Sequence, residues 1–321
     1  MKKIIGIGNA LVDALYSETT EELLATLALP KGSMQLIDRA HFLALGERMS
    51  GARRERTTGG SACNTILALA RVGQPTALIG KVGHDDDGDF FGRSFREAGV
   101  ETHLLTDDAP TGVASAFITP DGQRTFATYL GAAAHLKADD IAAAWWADCS
   151  YLYIEGYLVQ NHALIDTLVD TARAAGLLVA LDMASYNVVE ADRDFFGHLL
   201  QKTDIVFANE EEARAFTGCE ADEALDALAE ICPLAVVKVG PRGALARRGS
   251  EKAFVPAGDA VKVVDTTAAG DYFAAGFLHA HARGEGLEAC LSEGTLLANE
   301  IIQVVGTRLD DSVWQKMAAR L

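Results

Sequence analysis

The sequence predicts an α/β protein: a doubly wound, mostly parallel sheet flanked by helices, with a small β-lid. Three observations lead there. Short β-branched or apolar runs alternate with longer amphipathic ones through most of the 321 residues, the pattern of a parallel sheet covered on both faces. Late in the chain a strand runs through a tight turn of small residues directly into a helix. One internal region, Thr111 to Leu130, breaks the alternation and reads as two strands joined by a turn.

The main-sheet strands are expected at Ile4 to Ile7, Ala77 to Ile79, Tyr151 to Ile154, Leu178 to Leu181, Ile205 to Ala208 and Ala235 to Val239. Amphipathic stretches between or after them include Ser61 to Arg71, Asp89 to Ala98, His162 to Ala175 and Gly270 to Arg283. In the irregular region Val113 to Thr119 and Thr125 to Leu130 flank the turn signal Pro120-Asp121-Gly122. Leu11 to Tyr16 and Ser33 to Ile37 also lie outside the alternation. The lid is therefore drawn from approximately residues 11–17, 33–38 and 111–131, with no repeat, low-complexity tract or linker to divide the chain.

The formal charge is 28 minus 45, or −17, which repels nucleic acid and anionic lipid unless basic residues segregate strongly. The richest basic stretch, Arg53, Arg54 and Arg56, is short and reads as a solvated loop. Five scattered cysteines show no zinc spacing and read as reduced thiols. The apolar start is interrupted by Asn9 and Asp13 too early for a signal peptide, and no run is long enough to span a bilayer. A cytoplasmic protein with no membrane or nucleic-acid partner is expected.

The most informative stretch is Val263-Val264-Asp265-Thr266-Thr267-Ala268-Ala269-Gly270-Asp271-Tyr272-Phe273. Backbone N–H groups at such a helix start can hold a phosphate without a cationic side chain. Asp271 stands where this anion hole meets the helix, whose dipole should keep it ionised. A carboxylate there could accept a proton from an attacking hydroxyl. Helix capping by Asp265 or Asp271 is the plain alternative.

Earlier, Gly59-Gly60-Ser61-Ala62-Cys63-Asn64 precedes a helix. Paired glycines allow close backbone approach to a ligand, and Asn64 offers a donor and an acceptor, both suited to a hydroxyl-rich substrate. A loop ending in a Ser61 cap is the alternative. Asp13, after the first strand, could accept hydrogen bonds from vicinal hydroxyls or be a solvated turn acid. Asn209-Glu210-Glu211-Glu212 forms a capping box at a strand-to-helix junction. Lys238 lies in a buried strand whose turn carries Gly240 and Gly243. Gly6-x-Gly8 lacks the third glycine of a dinucleotide fingerprint, and no Walker A motif or catalytic serine elbow is present.

Taken together in order, these motifs resemble the PfkB, or ribokinase-like, carbohydrate kinase family. Asp265, Thr266, Ala269, Gly270 and Asp271 match its Asp-Thr-x-Gly-Ala-Gly-Asp signature, with Ala268 standing where the family has glycine. Alanine fits there if its φ is negative and otherwise forces a strained turn. Gly59, Gly60 and Asn64 match the N-terminal Gly-Gly signature, and Asn209 with Glu212 the Asn-x-x-Glu motif. The lid sequence from Thr119 to Ala132 looks closer to adenosine-kinase-like members than to ribokinases or fructokinases.

The resemblance implies a single ribokinase-like domain over residues 1–321 and transfer of a phosphate from ATP to a hydroxyl of a sugar or nucleoside. It implies Asp271 as general base, with the backbone of Ala268, Ala269, Gly270 and Asp271 stabilising the transferring group. Asp13, Gly59, Gly60 and Asn64 then hold the acceptor. Asn209, Lys238, Gly240, Gly243, Thr266 and Asn299 lie on the ATP side, and Glu212 organises Mg²⁺ through water. Use of a monovalent cation, and a monomeric or homodimeric state, stay open. A non-catalytic nucleotide-binding or regulatory member, motivated by Ala268, is the competing expectation. Phe126 and Tyr129 could each stack on a base, but alternation along a strand sets them on opposite faces.

Overall fold

In the computed structural model, which describes residues 2–17, 19–121, 123–258, 262–318 and 320, the strands in chain order are β1 (Lys3–Ile7), β2 (Leu11–Tyr16), β3 (Met34–Leu36), β4 (Glu55–Gly59), β5 (Thr76–Gly83), β6 (Glu101–Asp107), β7 (Gly112–Ile118), β8 (Arg124–Tyr129), β9 (Cys149–Glu155), β10 (Leu178–Asp182), β11 (Ile205–Asn209), β12 (Leu234–Lys238), β13 (Ala244–Arg248) and β14 (Glu251–Val255). Gly122 of the expected hairpin turn lies outside the described residues.

Nine strands form the main sheet in the order β14-β13-β12-β11-β10-β9-β1-β5-β6. All neighbours from β6 to β12 run parallel, and β13 and β14 extend the edge as an antiparallel pair. The expected parallel strands are all present, and the antiparallel extension was not foreseen. From β1 the chain winds outward to β5 and β6, then returns to lay β9 to β12 on the other flank. The strand order thus reverses beside β1, and an open α/β sheet offers a ligand crevice at that point, beyond the carboxyl ends of its strands.

Period-two alternation sorts the sheet's side chains into two cores. Ile4, Tyr151, Tyr153, Phe207 and Val236 face one cluster, with residues of the helices Ser61–Arg71, Ala269–Ala282 and Leu287–Ile301. Ile5, Ile7, Leu152, Ile154, Val206 and Val237 face the other, with the helices His162–Ala174 and Ala221–Ala229. Each such fully buried aliphatic side chain contributes about 1.5–3 kcal/mol of transfer free energy. The helix expected from Asp89 begins at Asp86, because Asp85 caps it by accepting from the Gly88 amide at 2.8 Å.

The remaining strands make a separate five-stranded sheet in the order β3-β8-β7-β2-β4. One face is closed by Ala14, Tyr16, Val113, Phe117 and Ala127 against Leu24 and Leu45 of two short helices. The expected lid lacked β4, and Arg56, expected in a solvated loop, lies within that strand. Arg54 and Arg56 both pair with Asp87, and Arg56 stacks over Phe90. An edge strand of Glu-Arg-Thr-Thr-Gly carries no apolar alternation, which is why it reads as loop. All five cysteines are free, and among the described residues no helix is long and apolar enough to cross a membrane.

Candidate active site

At the crevice beside β1, Glu155 at the end of β9 is buried and acts as a tie. It accepts from the Asn9 amide at 2.8 Å, the Asn9 side chain at 2.6 Å and the Ala62 amide at 2.8 Å. The exit of β1 and the start of the Ser61–Arg71 helix are thereby fixed to one carboxylate. A lone Glu closing a strand gives no sequence signal for this role.

Gly59 and Gly60 explain how Asp13 is accommodated. A Cβ on Gly59 would lie 2.2 Å from Asp13 Oδ1, and one on Gly60, whose φ is +96°, would lie 2.1 Å from the Asn9 carbonyl oxygen. The close approach is thus to the protein's own Asp13 and backbone. Ser61 does not cap its helix, since Gly60 holds the cap position and no side chain caps it.

Ser61 and Asn64 instead bind Asp271. Ser61 Oγ donates to Asp271 Oδ1 at 2.7 Å, and Asn64 Nδ2 donates to Oδ2 at 2.9 Å. Burial pushes the Asp271 carboxyl up to about 7 against those two bonds, with Asp182 adding to the rise and Lys238 opposing it. Removal from water thus opposes the ionisation that the helix start was expected to favour. Burial likewise raises Asp13 to about 6, opposed by the nearby Arg308 and Arg124.

The turn before the Ala269–Ala282 helix has Ala268 at its cap position with φ +63°. The requirement for negative φ is therefore not met, and the turn is left-handed at a residue with a Cβ, which costs about 1–2 kcal/mol. Its methyl group packs against the apolar core. No side chain caps this helix, so neither Asp265 nor Asp271 plays that part. Asp265 accepts from the Thr267 amide and hydroxyl, from the Gly306 amide at 2.8 Å and from the lid's Arg124 at 2.7 Å. The Ala269 amide donates to the Thr266 carbonyl at 3.2 Å, while the amides of Gly270 and Asp271 fall in the first helical turn, where no i−4 acceptor exists.

Lys238, at the end of β12, reaches the same place: a Cβ on Gly270 would lie 3.1 Å from its Nζ. Nζ donates to Asp182 Oδ2 at 3.0 Å. Burial opposes the Lys238 charge, but Asp182 and Glu212 together hold its pKa above the ordinary value. Asp182, which closes β10, was absent from the sequence-based site because an isolated strand-end Asp carries no distinguishing pattern.

Asn209 and Glu212 form the expected capping box. The Asn209 amide and side chain donate to the two Glu212 oxygens at 2.7 and 2.6 Å, and the Glu212 amide donates to Asn209 Oδ1 at 2.9 Å. Burial raises the Glu212 carboxyl to about 7. Among the described residues no group of three His, Cys, Asp or Glu side chains could hold a metal. The donor set fits an ion carried by phosphate oxygens and water.

Further out, Gly240 and Gly243 have φ of +56° and +125°, and Asn299 donates to the Ala257 carbonyl at 2.6 Å. All the sequence-predicted site residues except Gly59 line one cleft of about 940 Å³, running from Asp13 past Asp271 and Lys238 to Gly243, Thr266 and Asn299. Val263, Ala298 and Ile302 add apolar lining to the same cleft.

The description "pfkB family carbohydrate kinase" matches residues 31–314. The adenosine kinase of Sinorhizobium meliloti superposes with a TM-score of 0.88 at 34% identity, covering 100% of this chain and 99% of that one. A probable sugar kinase from Rhizobium etli CFN 42 gives the same values. Adenosine kinase from Saccharomyces cerevisiae is 28% identical over 329 residues, covering 94% of this chain and 95% of the yeast protein.

Proposed function

The chain belongs to the pfkB family of carbohydrate kinases, and from that premise we propose that it transfers the terminal phosphate of ATP to a hydroxyl of a nucleoside, with Asp271 as general base. The observation that carries the reaction is the place of Asp271. Its carboxylate meets Ser61 and Asn64 on the Asp13 side, while its own helix start and Lys238 flank the other.

An acceptor hydroxyl beside Asp271 loses its proton to the carboxylate as its oxygen bonds to the γ-phosphorus, and the bond from phosphorus to the bridging oxygen of ATP breaks, releasing ADP. The Gly270 and Asp271 amides and the Lys238 ammonium meet the charge on the transferring group. Glu212 and Asn209 would hold Mg²⁺ through water, and the ion would supply charge neutralisation for the phosphates. Asp13 orients the acceptor through its hydroxyls. Seating of the lid excludes water, which favours transfer over hydrolysis.

A nucleoside is favoured over a free sugar by the open face of the lid. Strand register puts Asp13, Ala114, Leu15, Ala116, Phe126 and Met34 on one face, opposite the cluster of Ala14, Phe117 and Ala127. Tyr129 turns to the other side and stacks on Phe42 with ring centroids 4.4 Å apart. Of the two aromatic candidates, only Phe126 shares the face of Asp13. Met34 is 59% exposed there, and an apolar surface next to a hydroxyl-binding carboxylate suits a base carried on a sugar. The kinship with adenosine kinases supports the same reading.

An ATP-consumption screen over nucleosides, free sugars and sugar phosphates tests it. A purine nucleoside should give the highest kcat/KM. Preference for ribose or fructose would remove the nucleoside. Binding of MgATP without transfer to any acceptor would favour the competing regulatory reading, which the left-handed Ala268 motivates.

A further inference from the structure

Arg308 lies between the helices Leu287–Ile301 and Asp311–Ala318, belongs to no sequence motif and does not line the cleft. Its partly buried guanidinium serves acceptors from three parts of the chain. Nη1 donates to Asn64 Oδ1 at 3.1 Å and to the Thr307 carbonyl at 2.9 Å, and Nη2 donates to both the carbonyl and the hydroxyl oxygen of Thr58. The Thr307 carbonyl also accepts from Tyr272 Oη at 3.1 Å, so the segment carrying Arg308 is pinned to the helix that presents Asp271.

The Asn64 amide has one accepting and one donating end, of nearly the same shape, and its orientation must be set by its neighbours. Asp271 as a carboxylate only accepts and Arg308 only donates, so a single orientation satisfies both. Turned over, the amide would set Oδ1 against a carboxylate oxygen and leave Arg308 facing an N–H.

We infer that Arg308 is a positioning residue for phosphoryl transfer: its bond to the Asn64 oxygen holds the Asn64 N–H on Asp271, and its bonds to Thr58 couple that orientation to strand β4 of the lid. Asn64 touches the base directly, whereas Arg308 acts through it. The inference rests on the proposed role of Asp271.

The other polar and titratable groups facing Asp271 are Ser61 and Cys63 of the same helix as Asn64, Tyr153 of β9, Tyr157, Asp182 of β10, Lys238 of β12 and the adjacent Tyr272. Arg308 is itself a charge near Tyr272 and Asp13, so the Asp271 titration reports on Asn64 where Arg308→Met and the charge-keeping Arg308→Lys shift it alike.

The test is a double-mutant cycle of Arg308→Met and Asn64→Ala. It is read by kcat with the best acceptor found and by carbon-13 titration of the Asp271 carboxyl in the resting protein. Each single change should lower kcat about 10- to 100-fold and raise the Asp271 pKa by about one unit. The double variant should fall no more than about threefold below Asn64→Ala, with no further titration shift. Multiplying losses, or an Asp271 titration that Arg308→Met leaves unmoved, would overturn the inference. Should Arg308→Met fail to fold in a thermal melt, Arg308→Lys decides in the same cycle: it keeps the charge near Asp13 but cannot bond Thr58 and Asn64 together. If only a sugar is phosphorylated, the nucleoside reading fails and the kinetic cycle stands. If nothing is phosphorylated, the kinase reading and with it the transfer role of Arg308 fail, and the titration decides only whether Arg308 sets the Asn64 orientation.

Discussion

Arg124 of the lid strand β8 and Asp265 of the turn before the Ala269–Ala282 helix form an ion pair at 2.7 Å, both largely buried. The pair fastens the five-stranded sheet to the turn proposed to form the anion hole. Arg124→Gln should lower kcat/KM for the acceptor about 10- to 100-fold through looser seating of the lid. The melting temperature should also drop, because Asp265 is left partly buried without its cation. Steady-state kinetics and calorimetry on one preparation check both outcomes.

Asp271→Asn should lower kcat by about 10²–10⁴-fold and change the KM for ATP only a few-fold. Normal turnover would exclude Asp271 as the base. The same substitution removes a buried carboxyl whose ionisation burial opposes, so near pH 8 the variant should be more stable than the wild type by about 1–3 kcal/mol. Urea denaturation measures this gain.

The pH dependence has a definite sign. With Asp271 as the proposed base, transfer needs it ionised, so kcat/KM should fall about tenfold per pH unit once the pH drops below about 7. The fall should steepen below about 6, where Asp13 also takes a proton. Stability runs the other way. Asp271, Glu212 and Asp13 all have folded pKa values above their unfolded ones, so the protons they retain favour the fold at low pH. That contribution is lost as pH rises toward about 7. Denaturation midpoints at about pH 5.5 and pH 8 in the wild type and in Asp271→Asn isolate it.

Ala268→Gly relieves a left-handed backbone at a residue with a Cβ. The gain of about 1–2 kcal/mol in the folded state is partly offset by the greater freedom of glycine in the unfolded chain. A net stabilisation of up to about 1 kcal/mol is expected, with kcat unchanged or raised. A fall in both would mean that the methyl contact with the core outweighs the strain.

Gly59→Ala should act on the acceptor alone. Its Cβ would meet the Asp13 carboxylate at 2.2 Å and displace it, raising the KM for the acceptor at least about tenfold while MgATP binding holds. Titration calorimetry with each substrate separates the two.

Where the chemistry is encoded locally, the site was legible in the residues. The run from Asp265 to Asp271, the paired Gly59 and Gly60, and the Asn209–Glu212 box each combine turn residues with a helix start, and the fold brings Thr266 to Asp271, Gly60, Asn209 and Glu212 to one cleft. Asp182, Glu155 and Arg308 were invisible for the opposite reason. Each is a single polar residue at a strand end or in a loop, and its partners lie 56, 146 and 244 positions away, namely Lys238, Asn9 and Asn64. The misread of β4 has the same origin: its pairing with β2 is set by tertiary contact, since its own residues carry no apolar rhythm. The backbone sign at Ala268 also escaped, because a φ angle follows from how the turn closes.

The bonds linking Asn64 to Asp271 and to Arg308 bridge separations of 207 and 244 residues. An emerging polypeptide on the ribosome could therefore organise β1 to β8 and still lack every group proposed to handle phosphate. Asp271 follows Asp13 by 271 minus 13, or 258, residues, so a nascent fragment that already holds Asp13 lacks the proposed base until that much more chain has been made.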